Sequence, residues 1–301
     1  MNILITGALG YLGSELVKKL EKNSHKLVLV DNLYNNNKNI LKTSKKIKFI
    51  KKDIEKLNFN NHLKKIDLLI HLANVSNTTV KKNDFSKIIN TNLKSLDKII
   101  NACKEHKVKL LYISTTTVYG KQKLIVNENL KKKFYKPYNL YSKTKLLAEE
   151  KLNKYKKTLK FSILRLGTLY GVSQNIRYDT AIQKILKGAK NEQSLMIEKK
   201  NYKLKKSYLS IDDGIRAIKF AIKKNLFEGE IFNISGINHS LYEIMKIIKK
   251  EKPKIKVKFT NKIILGQTPC NISPQKIIRR GFKFRDNIKR LIPKILNSKN
   301  F

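Results

Sequence analysis

The chain is short of several things, and each shortage removes a class of answer. Two cysteines, Cys103 and Cys270, stand far apart in 301 residues. They cannot form a disulfide framework or a CxxC metal knuckle, so a reducing compartment is expected. No apolar run approaches the roughly 20 residues of a membrane-crossing helix. The opening "MNILITG" passes directly into strand-like sequence without a basic leader or cleavage site. The expectation is a cytoplasmic protein with no membrane partner. Arginine is scarce too, with seven against 59 lysines, although the formal net charge is +44. A nucleic-acid reader would favour the planar fork of Arg. The lysines are instead spread over positions that a helix turns to solvent. The charge therefore reads as compositional drift with a modest pull on anionic substrates, and nucleic acid is not the expected partner.

What is present is alternation. Short apolar runs at 2–6, 26–31, 47–51, 66–72, 109–114 and 161–166 read as strands. Between them, 13–22, 84–106 and 141–156 carry apolar residues at helical spacing. Near-continuous apolar strands separated by amphipathic helices predict a parallel sheet covered on both faces. The expected fold class is therefore α/β, a Rossmann-type doubly wound parallel sheet with a smaller C-terminal substrate lobe. Residues 1–170 form the first domain and 171–301 the lobe, with 207–235 returning to the main sheet. Two further helices are expected at 212–224 and 240–250, and the Asn-rich piece 34–39 reads as a surface loop.

Glycine is also limited, at 12 residues, which makes its clustering informative. The first strand feeds "TGALGYLG", with Gly7, Gly10 and Gly13, a pattern with a chance probability of about 0.02 at this composition. Gly7 allows a tight turn, Gly10 lets backbone approach a pyrophosphate, and Gly13 lets helix and strand pack closely. The helix start offers N–H groups and a positive dipole end to phosphates. Asp31 ends the second strand, where a carboxylate can hold ribose hydroxyls and repel a 2′-phosphate. The first Arg in the chain is Arg165, so NAD is favoured over NADP, with Lys38 arguing weakly the other way.

A Tyr four residues before a Lys can form an acid/base couple. About two or three such pairs are expected from composition, and five exist: Tyr34/Lys38, Tyr119/Lys123, Tyr141/Lys145, Tyr202/Lys206 and Tyr242/Lys246. Only Tyr141 opens an amphipathic helix that follows a central strand, with Lys145 one turn on over the same face. His71 reads as a packing histidine rather than a base. Asp212 and Asp213 read as helix caps, and no metal site is expected. Cys103 reads as core, and Cys270 has no local His to activate it.

Together these segments resemble the NAD-dependent nucleotide-sugar epimerase/dehydratase branch of the extended short-chain dehydrogenase/reductase superfamily. The motifs run in order over nearly the whole chain: "TGALGYLG", "DNL" at Asp31, "DI" at Asp53, "HLAN" at His71, "NTNLKSL", "STTTVYG", "YSKTKLLAEE", "RLGTLYG", "SYLSIDD" and "FNISG". The resemblance implies NAD held by Gly7, Gly10, Tyr11, Leu12, Gly13, Asp31, Asn32, Asp53, Ile54, Leu72, Ala73, Asn92 and Lys145. It implies Tyr141 as acid/base, Lys145 as its electrostatic partner and ribose anchor, and Thr115 as hydrogen-bond partner of the reacting hydroxyl. Asn92 would position this cluster.

The implied substrate is a nucleoside-diphosphate sugar, met by Thr115, Thr116, Arg177 and Lys206. Epimerisation, with C4 as the expected carbon, is the leading expectation. A net reductase or dehydrogenase, and a non-catalytic Rossmann-fold protein binding RNA or a partner, are the alternatives. A homodimer is expected through 84–106 and 141–156. The sequence also departs from the family pattern. Thr116 and Thr117 replace the Asp-Glu pair of the 4,6-dehydratases and cannot do its acid/base work, which argues against dehydration. Thr168 and Ser76 stand where many members have Asn and Lys. Lys206 replaces an Arg that clamps the diphosphate, and Thr268 and Asn271 replace a second Arg and an Asp.

Overall fold

The computed structural model describes residues 1–34, 45–75, 85–262, 269–299 and 301. Lys38, Ser76, Thr268 and most of the Asn-rich loop lie outside the described residues. The chain divides into two compact units. One comprises Met1–Ser114, Asn139–Leu164 and Ile218–Phe232; the other comprises Thr115–Tyr138, Arg165–Ala217 and Asn233–Phe301.

The first unit is organised around a seven-stranded sheet. In chain order its strands are β1 (Asn2–Thr6), β2 (Lys26–Asp31), β3 (Ile47–Lys51), β4 (Leu68–His71), β5 (Lys109–Thr115), β6 (Phe161–Leu166) and β10 (Glu230–Ile234). Their spatial order is β10-β6-β5-β4-β1-β2-β3. β1 pairs in parallel with β2 and β4, and β4 with β5. Strand order thus reverses between β1 and β4, the topological position where open α/β sheets bind ligands. All four residues of β4 and all six of β6 are buried, as expected for strands covered on both faces. Edge strand β3 alternates half-buried residues with exposed lysines, a charged rim that discourages edge-to-edge pairing.

Helices α1 (Tyr11–Glu21), α2 (Asn60–Leu63), α3 (Phe85–Ile89), α4 (Ser95–Glu105) and α5 (Leu140–Asn153) belong to this unit. Leu4, Leu69, Leu96, Ile99, Tyr112, Leu152 and Phe161 share one core. Each buried side chain of this size contributes roughly 1.5–3 kcal/mol. The helix expected at 84–106 is not continuous: a π-helical turn, Asn90–Lys94, separates α3 from α4.

The second unit differs from expectation. It contains two small sheets, one ordered β11-β9-β7 and the other β12-β8. Their strands are β7 (Thr168–Tyr170), β8 (Leu195–Glu198), β9 (Lys205–Ser210), β11 (Ile237–Ser240) and β12 (Val257–Thr260). Residues 207–210 were expected in the main sheet, but β9 pairs with β7 and β11 instead. Of this stretch only Ile218–Phe232 groups with the large-sheet unit, and the second unit is nearly as large as the first. Sequence alternation registers that a strand exists, but its pairing partner is a long-range choice that alternation does not encode.

The remaining helices are α6 (Ala181–Lys190), α7 (Ile211–Lys223), α8 (Leu241–Glu251), α9 (Gln275–Arg279) and α10 (Ile288–Leu296). Ile182, Leu186, Ile244, Ile248, Ile292 and Ile295 from α6, α8 and α10 close the second core. The expected cap of α7 is corrected. The Ser210 hydroxyl accepts the Asp213 N–H at 3.0 Å, and the Asp213 carboxylate accepts the N–H groups of Arg285 and Asp286. Asp213 therefore ties down the 285–286 segment. No described helix is long and apolar enough to cross a membrane.

Candidate active site

In the first unit the glycine-rich turn is shaped by close approach. Gly7 has φ +66°, and a Cβ there would stand 2.6 Å from the Ala73 nitrogen; at Gly13 it would stand 2.2 Å from the Gly7 carbonyl oxygen. Both positions exclude any side chain, and a Cβ at Gly10 would come within 3.2 Å of Gly7 oxygen. Tyr11 and Leu12 are buried in the first turn of α1. That helix has no side-chain cap and no acidic residue in its first turn, so its positive dipole end faces the glycine-rich turn.

Asp31 pins the turn. One carboxylate oxygen accepts the Leu9 N–H and the other the Leu33 N–H, each at 2.9 Å. Asp53 accepts from the Asn32 side chain at 3.1 Å and from the Glu55 N–H at 3.0 Å. Ile54 is buried beside it. Leu72 and Ala73 leave β4 with their N–H groups on the carbonyl and hydroxyl of Thr6. The residues fit a dinucleotide: a glycine cradle at a helix start without a side-chain cap, with a carboxylate at the next strand end.

The Tyr141–Lys145 helix is anchored from three sides. Asn139 and Ser142 form a reciprocal capping box at the start of α5, which fixes where the helix begins. Asn92, in the π-helical turn, accepts the Val75 N–H at 2.9 Å and donates to the Val75 carbonyl and the Thr144 hydroxyl. A π turn widens the helix locally and commonly marks a functional position. Lys145 is 2% exposed. Its Nζ donates to the Ile113 carbonyl at 2.7 Å and lies 4.5 Å from the centre of the Tyr112 ring. Burial pulls the Lys145 ammonium down to about 7, an effect the nearby Glu149 carboxylate opposes. Tyr141 is half-buried, close enough to Tyr112 to add to the burial that raises that phenol.

The competing pairs are placed differently. Tyr119 ends a 3₁₀ turn (Thr116–Tyr119) and is buried; its hydroxyl donates to Asn233 at 2.9 Å and accepts from Arg165 at 2.7 Å. Arg165 also lies over the stacked Tyr119 and Tyr135 rings, so Tyr119 is committed to packing. Lys123 is exposed in the following loop. Tyr202 lies in a turn and Lys206 in β9, so four residues there do not make one helical turn. Tyr242 and Lys246 sit on the exposed face of α8.

His71 is fully buried and bonded to the Thr6 hydroxyl at 2.7 Å. Burial and the charge of Lys145 bring its imidazole down to about 3, so it is neutral and part of the packing. Cys103 is core, its thiol pushed up to about 12 by burial. Among the described residues, no group of three His, Cys, Asp or Glu side chains could hold a metal ion.

Other expected site residues lie in the second unit. Thr115, last residue of β5, accepts the Thr117 N–H at 3.2 Å, and the two threonine hydroxyls are 3.0 Å apart. Thr116, Thr117, Tyr138, Lys206, Ser207 and Cys270 line a small pocket. Burial lowers Lys206 to about 8 and raises the Cys270 thiol to about 12. Arg177 is away from this lining and grips Asp179 with both Nε, at 2.6 Å, and Nη2.

Sequence reasoning passed over Ser114 and Glu149. Glu149 is buried and accepts a hydrogen bond from the Ser114 hydroxyl. The signal was its place four residues after Lys145.

Comparison with known proteins adds a third line. Residues 3–235 match the family described as "NAD dependent epimerase/dehydratase family". An uncharacterized UDP-glucose epimerase of Bacillus subtilis is 28% identical over 262 residues, covering 82% of this chain and 80% of that one. A dTDP-D-glucose 4,6-dehydratase of Dictyostelium discoideum is 30% identical over 256 residues, covering 78% and 57%. The crystal structure of UDP-glucuronic acid 4-epimerase from Bacillus cereus, in complex with UDP-glucuronic acid and NAD, is also similar. It superposes with a TM-score of 0.88 at 28% identity, covering 99% of this chain and 98% of that one.

Proposed function

Because the chain belongs to the NAD-dependent epimerase/dehydratase family, we propose that it epimerises a nucleoside-diphosphate sugar at C4. The observation that carries the reading is Lys145: of the Tyr/Lys pairs within the described residues, only this one combines a single helical turn with a buried cation.

Gly7, Gly10 and Gly13 would take the pyrophosphate of NAD, Asp31 the adenosine ribose, and Asp53 with Ile54 the adenine side. NAD held there would supply reversible hydride transfer at the sugar carbon. Tyr141, as phenolate, takes the proton of the C4 hydroxyl and later gives it back to the other face's product. A free tyrosine titrates near 10, so work near neutrality needs about 4 kcal/mol of preference for phenolate. An adjacent ammonium supplies preference of that sign, and Lys145 is held for this by the Ile113 carbonyl. Thr115 would steady the reacting hydroxyl.

Thr116 and Thr117 offer hydroxyls but no carboxyl group, which disfavours elimination of water. The pocket's hydroxyls and Lys206, with no carboxylate in its lining, suit an anionic ligand. The Bacillus cereus enzyme's complex with UDP-glucuronic acid makes an acidic UDP-sugar the first substrate to try. Arg177 would meet substrate only by exchanging Asp179 for it. Phe85, Ile89 and Leu147 expose 44%, 39% and 50% of their surface on α3 and α5, a face suited to pairing two copies; light scattering on the purified chain tests that.

The deciding experiment incubates the protein with UDP-glucuronic acid, then UDP-glucose, and follows the C4 isomers by NMR. Interconversion with no net change in reduced nicotinamide supports the reading. Stoichiometric reduction would replace it with a net dehydrogenase.

A further inference from the structure

The buried polar groups that follow Tyr141 along α5 include one that the catalytic assignment leaves unused. Ile113 and Ser114 are successive residues of β5. The first offers its carbonyl to Lys145 at 2.7 Å, and the second gives its hydroxyl to Glu149. Lys145 and Glu149 are themselves one turn apart on α5, both 2% exposed. A lysine and a carboxylate of the same helix are thus clasped by adjacent residues of one strand, away from water.

From this geometry we infer that Glu149 is a positioning residue for the reaction, the buried counter-charge that keeps Lys145 cationic and therefore able to hold Tyr141 as phenolate. The inference rests on the reading of Lys145 as the partner of Tyr141. Burial alone would strip the lysine of its proton, and it already titrates near 7 with Glu149 acting in the opposite direction. The other titratable groups facing it do not replace Glu149. His71 on β4 is neutral, its titration depressed first by burial and then by Lys145. Tyr112 on β5 is held protonated by burial. Tyr141 carries a negative charge only while it is the working base. Ser114 is the hinge of the arrangement, since its hydroxyl holds the Glu149 carboxylate in the buried space one helical turn from the lysine.

The test is Glu149→Gln in the full chain, read by NMR with lysine labelled at 13Cε. A lysine titrating near 7 stands apart from exposed lysines, which titrate above 10, and its loss in Lys145→Met identifies it. The expected result is a fall of about one unit in the Lys145 midpoint. With an active substrate in hand, the alkaline limb of kcat should move down by the same amount, with KM little changed, and Glu149→Asp should restore most of it. An unchanged Lys145 midpoint in folded Glu149→Gln overturns the inference. The NMR titration needs no substrate, so failure of the epimerase assignment remains separate from failure of this one. Should the amide variant not fold, Ser114→Ala with Glu149→Met removes both polar partners together, and the same midpoint shift is required of it.

Discussion

Helices α5 and α8 begin alike and end in different chemistry. Each opens with Leu-Tyr behind a capping box, Asn139 with Ser142 in one and Ser240 with Glu243 in the other. Each carries Lys four residues after the Tyr. On α8 both side chains are exposed: Lys246 hydrogen-bonds the Tyr242 hydroxyl, which lowers the tyrosine and raises the lysine, each stabilising the other's charged form in water. On α5 the lysine is buried against β5, and its titration moves down instead. The same local geometry therefore gives an ordinary surface contact in one place and a cation held out of solvent in the other. Spacing brings two groups together; burial decides what they can do.

The largest test of that contrast is removal of the two hydroxyls in turn. Tyr141→Phe is expected to cost on the order of 10²–10⁴ in kcat, the usual worth of a positioned acid/base, while leaving dinucleotide retention intact by mass spectrometry of the denatured protein. Tyr242→Phe should leave kcat within twofold. Comparable losses in both variants would mean that the buried lysine does not distinguish the sites.

Next in size is the pH dependence of stability. In the fold Lys145 titrates near 7, against about 10.4 in an unfolded chain. Between those values the unfolded state binds more protons, so stability rises with pH across the window and is flat from this group below it. The full difference is on the order of 4 kcal/mol. Urea melts at pH 7 and pH 9.5 should show roughly two thirds of this gain in the parent, a smaller one in Lys145→Met, and no change in slope for Lys246→Met. Equal slopes in parent and Lys145→Met would show that burial does not depress this lysine.

How far these features were legible follows from their range. The strands β1, β2, β3 and β6 match the apolar runs to the residue; β1 and β6 are buried almost throughout, while β2 and the edge strand β3 keep enough apolar residues to register despite their exposed lysines. The Gly7–Gly13 turn was legible for a similar reason: backbone approaches of 2.2–2.6 Å from a virtual Cβ admit only glycine. The Tyr141/Lys145 pair needed the preceding strand to separate it from four look-alikes. What the sequence withheld was pairing across distance. Nothing in "KKSYLS" says that β9 joins β7 and β11, and the link from Ser114 to Glu149 spans 35 residues. The π turn that carries Asn92 was also hidden, since 84–106 keeps one apolar face through it.

The helix starts give a smaller and more symmetrical effect. Asn139→Ala and Ser240→Ala each remove a cap that accepts an N–H of the first turn, at 2.8 Å in α5 and 3.2 Å in α8. Each should cost about 1 kcal/mol by urea denaturation. Their functional costs should diverge, because only α5 carries a buried partner whose register the cap sets. A start displaced by even part of a turn moves Lys145 relative to the Ile113 carbonyl, so Asn139→Ala should lower kcat several-fold beyond its stability cost. Ser240→Ala should lower stability alone. If the two variants lose activity equally at matched stability, the cap of α5 is a folding device and the position of Lys145 is set by β5 and Asn92 without it.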